Sequence, residues 1–112
     1  MTKLKTYPRK FSIESEPAAP GLWRVKIGGE LDVYSSPRLR QEIRRRLEEG
    51  SDVEVDFSDV EHVDCSGLGA LMSGMSCATR QSRKLTVVGI QPAVARIFVI
   101  TKLDRVFDLD LN

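Results

Sequence analysis

The stretch Val63-Asp64-Cys65-Ser66-Gly67-Leu68-Gly69 places a carboxylate, a thiol and a hydroxyl on consecutive residues, with two closely spaced glycines after them. It lies between an alternating apolar run and a helical one, so it reads as a strand-following loop that turns into a helix. A helix N terminus offers unpaired backbone N–H groups and the positive end of the dipole, which stabilise a phosphate or thiolate placed there. Gly67 and Gly69 each cost a helix about 1 kcal/mol relative to alanine. Such glycines are expected where something approaches the backbone or where the helix packs tightly on its sheet. Ser66 is the expected helix cap. Cys65 could act as a nucleophile activated by the helix, with His62 as its base. His62 is the sole histidine, however. No third group orients it, and the three-residue separation falls in an expected loop. Two cysteines and one histidine at these spacings match no zinc pattern. No catalytic residue, metal or cofactor is therefore expected.

A second candidate surface is Gly29-Glu30-Leu31-Asp32, expected to leave the C-terminal end of a strand. In open sheets with parallel strands, ligands gather at the carboxyl ends of the strands. This segment should then neighbour the Asp64–Gly69 loop, forming an acidic recognition patch beside a helix start.

Alternation marks the elements that must position these residues. Phe11 and Ile13, then Trp23, Val25 and Ile27, read as two strands around a Pro17–Gly21 loop, with Gly28-Gly29 ending the second. Ser36 looks like an N-cap with Pro37 in the first turn. Leu39, Ile43 and Leu47 then recur every four residues until Gly50. Val53, Val55 and Phe57 predict a third strand. Leu68, Leu71, Met72 and Met75 share one face of a second helix. Leu85 and Val87 predict a fourth strand ended by Gly89, and Pro92 opens a third helix with Val94, Ile97 and Phe98 inward. The tail from Val106 to Leu111 reads as an edge strand or a short packed segment. Alternating strands and helices imply parallel neighbours. The strands alternate polar with apolar, whereas strands covered on both faces read as continuous apolar runs. The expected fold is α/β, a mixed four- to five-stranded sheet with its helices mainly on one face.

The chain has 112 residues, enough for one core. Residues 11–112 read as a single domain and 1–10 as a flexible N terminus. Seventeen basic residues nearly balance sixteen acidic ones, which argues against a nucleic-acid partner. Arg44-Arg45-Arg46 reads as a solvated helix face. Cys65 and Cys77 form no disulfide framework, no secretory signal is visible and no apolar stretch is long enough to span a bilayer. A cytoplasmic protein without membrane insertion is expected.

In order along the chain, Gly29-Glu30-Leu31-Asp32, the Val53–Ser58 strand, Asp64-Cys65-Ser66-Gly67-Leu68-Gly69 and Pro92-Ala93-Val94 resemble the STAS family. These are the domains of bacterial anti-sigma factor antagonists, which recur in the cytoplasmic tails of sulfate transporters. The resemblance implies a protein-binding, partner-switching role in transcription regulation. The implied partner is an anti-sigma factor with a histidine-kinase-like ATPase domain, met by Glu30, Asp32, Asp64, Ser66, Gly67 and Gly69. In the family's regulatory branch that kinase phosphorylates the hydroxyl residue just after the aspartate. Here the position holds Cys65, with Ser66 as the alternative acceptor, so the resemblance implies a switch lost or moved by one residue. The alternatives are a STAS module regulating a transporter complex or another client, and a thiol redox sensor at Cys65. The sequence does not set the oligomeric state.

Overall fold

The computed structural model describes residues 10–109. Two strands, β1 (Ser12–Ala19) and β2 (Leu22–Leu31), form a hairpin closed by Gly21 in the left-handed region. The Pro17–Gly21 segment is thus mostly strand. The register shifts between Pro17 and Ala19, an irregularity that an edge strand tolerates.

Gly28-Gly29 does not end β2. Both glycines are buried inside the strand, at register shifts against its parallel neighbour. A Cβ on Gly28 would lie 2.8 Å from Ser12 Oγ and 3.1 Å from Asp59 Cβ, and Gly29 has φ +84. The pair marks a bulge that carries the strand on to Glu30 and Leu31.

After a turn, α1 (Ser36–Glu48) buries Leu39, Ile43 and Leu47. Its N-cap is Ser35 rather than Ser36, and no side-chain cap bond forms there. Strand β3 (Asp52–Val63) runs past the expected Ser58. Helix α2 (Cys65–Arg80), β4 (Leu85–Val88), α3 (Pro92–Ile100) and a single turn α4 (Leu103–Val106) follow. The sheet order is β1-β2-β3-β4, with β1 antiparallel to β2 and the other pairs parallel.

Val25, Val55 and Val87 stand side by side across three strands and are all buried. With Ile27, Val53, Phe57 and Leu85 they form the floor on which Leu39, Ile43, Leu71 and Val94 pack. Phe57 meets Phe98 of α3 edge-on, ring centroids 5.9 Å apart. Residues between these positions form the opposite, polar face, where Arg24 pairs with Glu54 at 2.9 Å and Lys26 with Asp59 at 3.6 Å. The helices therefore cover one face. Ile97 is only half-buried, Phe98 taking the central place, and Met72 is on the outside.

Two side chains do work that the pattern hid. Arg46 is not on the solvated face: its guanidinium lies 3.6 Å from the Trp23 ring centroid and bonds Glu42 at 2.9 Å. Arg44 and Arg45 are exposed, as expected. Beyond the end of β4, Gln91 Nε2 donates to the carbonyls of Ser58 and Val60 at 2.6 and 3.0 Å. It thereby satisfies β3 acceptors that β4 is too short to reach. The described part of the tail is α4 followed by buried Phe107, a packed segment rather than a fifth strand. Asp110–Asn112 and residues 1–9 lie outside the described residues.

Candidate functional site

Parallel pairing sets Glu30 opposite His62 and Leu31 opposite Val63, so β2 and β3 end together. The Asp64 N–H donates to the Leu31 carbonyl at 3.1 Å, tying the two exits to each other. The two segments singled out in the sequence are neighbours at one end of the sheet. His62 is in strand β3, not in a loop, and is exposed.

At the start of α2 the cap is Asp64, not Ser66. Its Oδ1 accepts from the backbone N–H of Ser66 at 2.8 Å and of Gly67 at 3.2 Å. Two N–H groups that could have met an external anion are thus occupied from within. The helix start is therefore a weaker phosphate cradle than its sequence suggested. Cys65 is the first helical residue and is exposed, whereas Ser66 is half-buried. The two glycines have different reasons. A Cβ on Gly67 would fall 2.7 Å from Leu31 Cγ and 3.0 Å from the Leu31 carbonyl oxygen, so only glycine lets α2 seat against the end of β2. At Gly69 nothing lies within 4 Å, and the position faces outward.

Asp32 also organises backbone. Its Oδ1 accepts from the N–H of Tyr34 at 2.9 Å and of Ser35 at 3.1 Å. Ser35 Oγ in turn accepts from the Asp32 N–H at 2.9 Å and lies 2.9 Å from the Glu30 carbonyl oxygen. The Ser35 N–H bond, ahead of the others, holds the Asp32 carboxyl below its ordinary range. Asp32 is half-buried and structural, so replacing it with lysine would disturb the turn as well as the surface.

That turn presents a feature the sequence reading passed over. Val33 and Tyr34 are 56% and 87% exposed, and Met72 on the outer side of α2 is 38% exposed. Two apolar residues in a turn between a carboxylate and a helix start were the available signal. Cys65 and Gly69, at the start of α2, are exposed as well. Among the described residues no cluster could hold a metal ion, and no helix is long and apolar enough to cross a membrane.

Residues 17–112 match the family described as the STAS domain. The chain belongs to the STAS domain family. It is 34% identical over 82 residues to the anti-sigma-B factor antagonist of Staphylococcus epidermidis, covering 72% of this chain and 76% of that one. Its fold is similar to that of an anti-sigma factor antagonist from Mycobacterium paratuberculosis. There the TM-score is 0.76 at 24% identity, over 92% of this chain and 87% of the other. It is also similar to that of the anti-sigma factor antagonist SpoIIAA in its unphosphorylated form, with TM-score 0.71 at 18% identity over 88% and 99% of the two chains. This STAS chain thus has the mixed sheet and one-sided helices that its strand pattern implied.

Proposed function

We propose that this STAS protein is an anti-sigma factor antagonist that acts by binding rather than by catalysis. Its partner is an anti-sigma factor with a histidine-kinase-like ATPase domain, and its work is done in the cytoplasm. The observation that carries the reading is the exposed side chain of Cys65 at the first position of α2, on the same sheet end as the exposed Val33-Tyr34 turn. An aromatic side chain held out from a turn is a common anchor of protein interfaces. Glu30, Asp32 and Asp64 supply the acidic part of the surface, Ser66 and Gly67 shape the helix start, and Gly69 admits close approach along α2.

A phosphoryl group at position 65 would add about two negative charges to this acidic end. Because Asp64 already occupies the Ser66 and Gly67 N–H groups, little is left to neutralise them. Repulsion would then dismiss a partner fitted to the unmodified surface. A cysteine keeps the position and removes the alcohol, so the surface stays in its binding form.

The test is calorimetric titration of the purified anti-sigma factor with wild type, Tyr34→Ala and Asp32→Asn. The asparagine retains an Oδ1 acceptor for the turn and removes only charge. Tyr34→Ala should weaken binding by at least about tenfold, and Asp32→Asn by less, with melting temperatures near wild type. Unchanged affinity in both variants would place the partner elsewhere.

A further inference from the structure

We propose that the groove between β1 and α1 docks an extended acidic segment of a partner protein, added as a fifth strand along β1 on the edge that carries no strand among the described residues. A second cavity of about 320 Å³, which reaches from Phe11 to the turn that carries Asp32 and Tyr34, shares Arg38 with the one of about 360 Å³ that forms the groove. The walls of the groove are Ile13 and Ser15 on the strand side and Arg38, Gln41 and Arg45 on the helix side.

The two edges of the sheet are not equivalent. β4 has four residues, and Gln91 covers the carbonyls of β3 beyond it. β1 has eight residues and pairs only with β2 among the described residues. In an antiparallel pair, alternate residues direct their N–H and C=O groups away from the partner strand. Ser12 to Glu16, before the Pro17 irregularity, therefore offers a row of backbone donors and acceptors of the kind that strand addition uses.

Charge selects the occupant. Helix α1 carries five arginines and two glutamates. The glutamate in the groove, Glu42, is already engaged by Ser15 at 2.5 Å and Arg46 at 2.9 Å. Arg45 is 61% exposed, with its nearest carboxylates at 3.5 and 3.9 Å. Arg38 is exposed, lies 5.2 Å from the Phe11 ring centroid, and has no carboxylate within ion-pair distance among the described residues. Ser15 faces α1, through its bond to Glu42, while Glu16 faces the other way and meets Arg24 at 3.8 Å. An added strand would thus point alternate side chains at Arg38 and Arg45, where carboxylates fit, and the others toward Glu14 and Glu16. In the adjoining cavity Glu30 and Asp32 stand with Lys10 and Arg38, so the acidic residues belong between Arg38 and Arg45. A second copy is the poorer occupant, because β1 against β1 would bring Glu14 and Glu16 of both chains together.

The test is an amide chemical-shift titration of the full chain with a peptide of about nine residues alternating glutamate with threonine. A peptide alternating lysine with threonine is the control. Saturable shifts concentrated at Ser12–Glu16 are expected from the acidic peptide alone. They should weaken about tenfold or more when Arg38→Glu and Arg45→Glu are combined, or when a proline breaks the centre of the peptide. Arg38→Gln serves as the second variant should the double substitution fail to fold. Equal response to the lysine peptide, shifts mapping to another surface, no saturable response at millimolar peptide, or self-association of the free protein through β1 would each overturn the proposal.

Discussion

Replacing Gly67 and Gly69 by alanine, one at a time, should change stability in opposite directions although the two stand two residues apart on one helix. Alanine is worth up to about 1 kcal/mol over glycine in a helix interior. At Gly69 nothing lies within 4 Å of the added Cβ, so that gain should be realised almost in full. At Gly67 the Cβ would stand 2.7 Å from Leu31 Cγ, 2.9 Å from Leu31 Cδ2 and 3.0 Å from its carbonyl oxygen. Leu31 is fully buried, and its carbonyl accepts from the Asp64 N–H, so neither group can swing aside without disturbing the strand exit. Overpacking of this kind costs about 1–3 kcal/mol. The upper part of that range outweighs the helical gain and leaves Gly67→Ala about 1–2 kcal/mol less stable than wild type. The two variants should then differ by about 2–3 kcal/mol, on the order of 10 °C in melting temperature for a domain of this size. Urea denaturation followed by circular dichroism measures both. If Gly67→Ala proves as stable as Gly69→Ala, α2 does not seat on Leu31 as described.

Three further outcomes follow from contacts elsewhere. Arg46→Ala should cost about 1–2 kcal/mol through loss of the stacking on Trp23, and fluorescence of the single tryptophan reports the change directly. Gln91→Leu removes both donors to Ser58 and Val60 and should cost about 1–3 kcal/mol, with faster amide exchange in the second half of β3. Burial pushes the Glu42 carboxyl up, but the Ser15 hydroxyl and Arg46 outweigh it and hold the group below its ordinary 4.5. The folded chain then binds fewer protons than the unfolded one below that pH, so this stabilisation is present above 4.5 and is lost as pH falls through the lower folded value. Urea midpoints measured across that range should fall less steeply for Glu42→Gln than for wild type.

Much of the fold was legible because its signals are periodic. Val53, Val55 and Phe57 alternate, Leu39, Ile43 and Leu47 recur by fours, and all six are buried. What escaped was local geometry that composition does not encode. Gly28-Gly29 looks like punctuation, yet both glycines sit inside β2, Gly28 because Ser12 and Asp59 crowd the space where its side chain would be and Gly29 because its φ is +84. Ser58-Asp59 broke the alternation and concealed the second half of β3, whose inward positions shift to Val60 and Val63 across the bulge. At the site, the proximity of the two loops followed from parallel topology, but the identity of the cap did not. Asp64 and Ser66 are both good caps, and only the position where the helix starts decides between them. Tyr34 carries no such signal, because an isolated aromatic in a turn has no period to mark it.

The central claim is that Cys65 occupies the switch position on a partner-binding surface and leaves that surface permanently in its binding form. It is tested most directly by incubating the cognate anti-sigma factor and ATP with wild type or Cys65→Ser, then recovering the complex and weighing each protein by mass spectrometry. Wild type should remain bound and unmodified, whereas Cys65→Ser should acquire one phosphate at position 65 and leave the complex. Phosphate on Ser66 of the wild type, or release of the wild type on addition of ATP, would contradict the account.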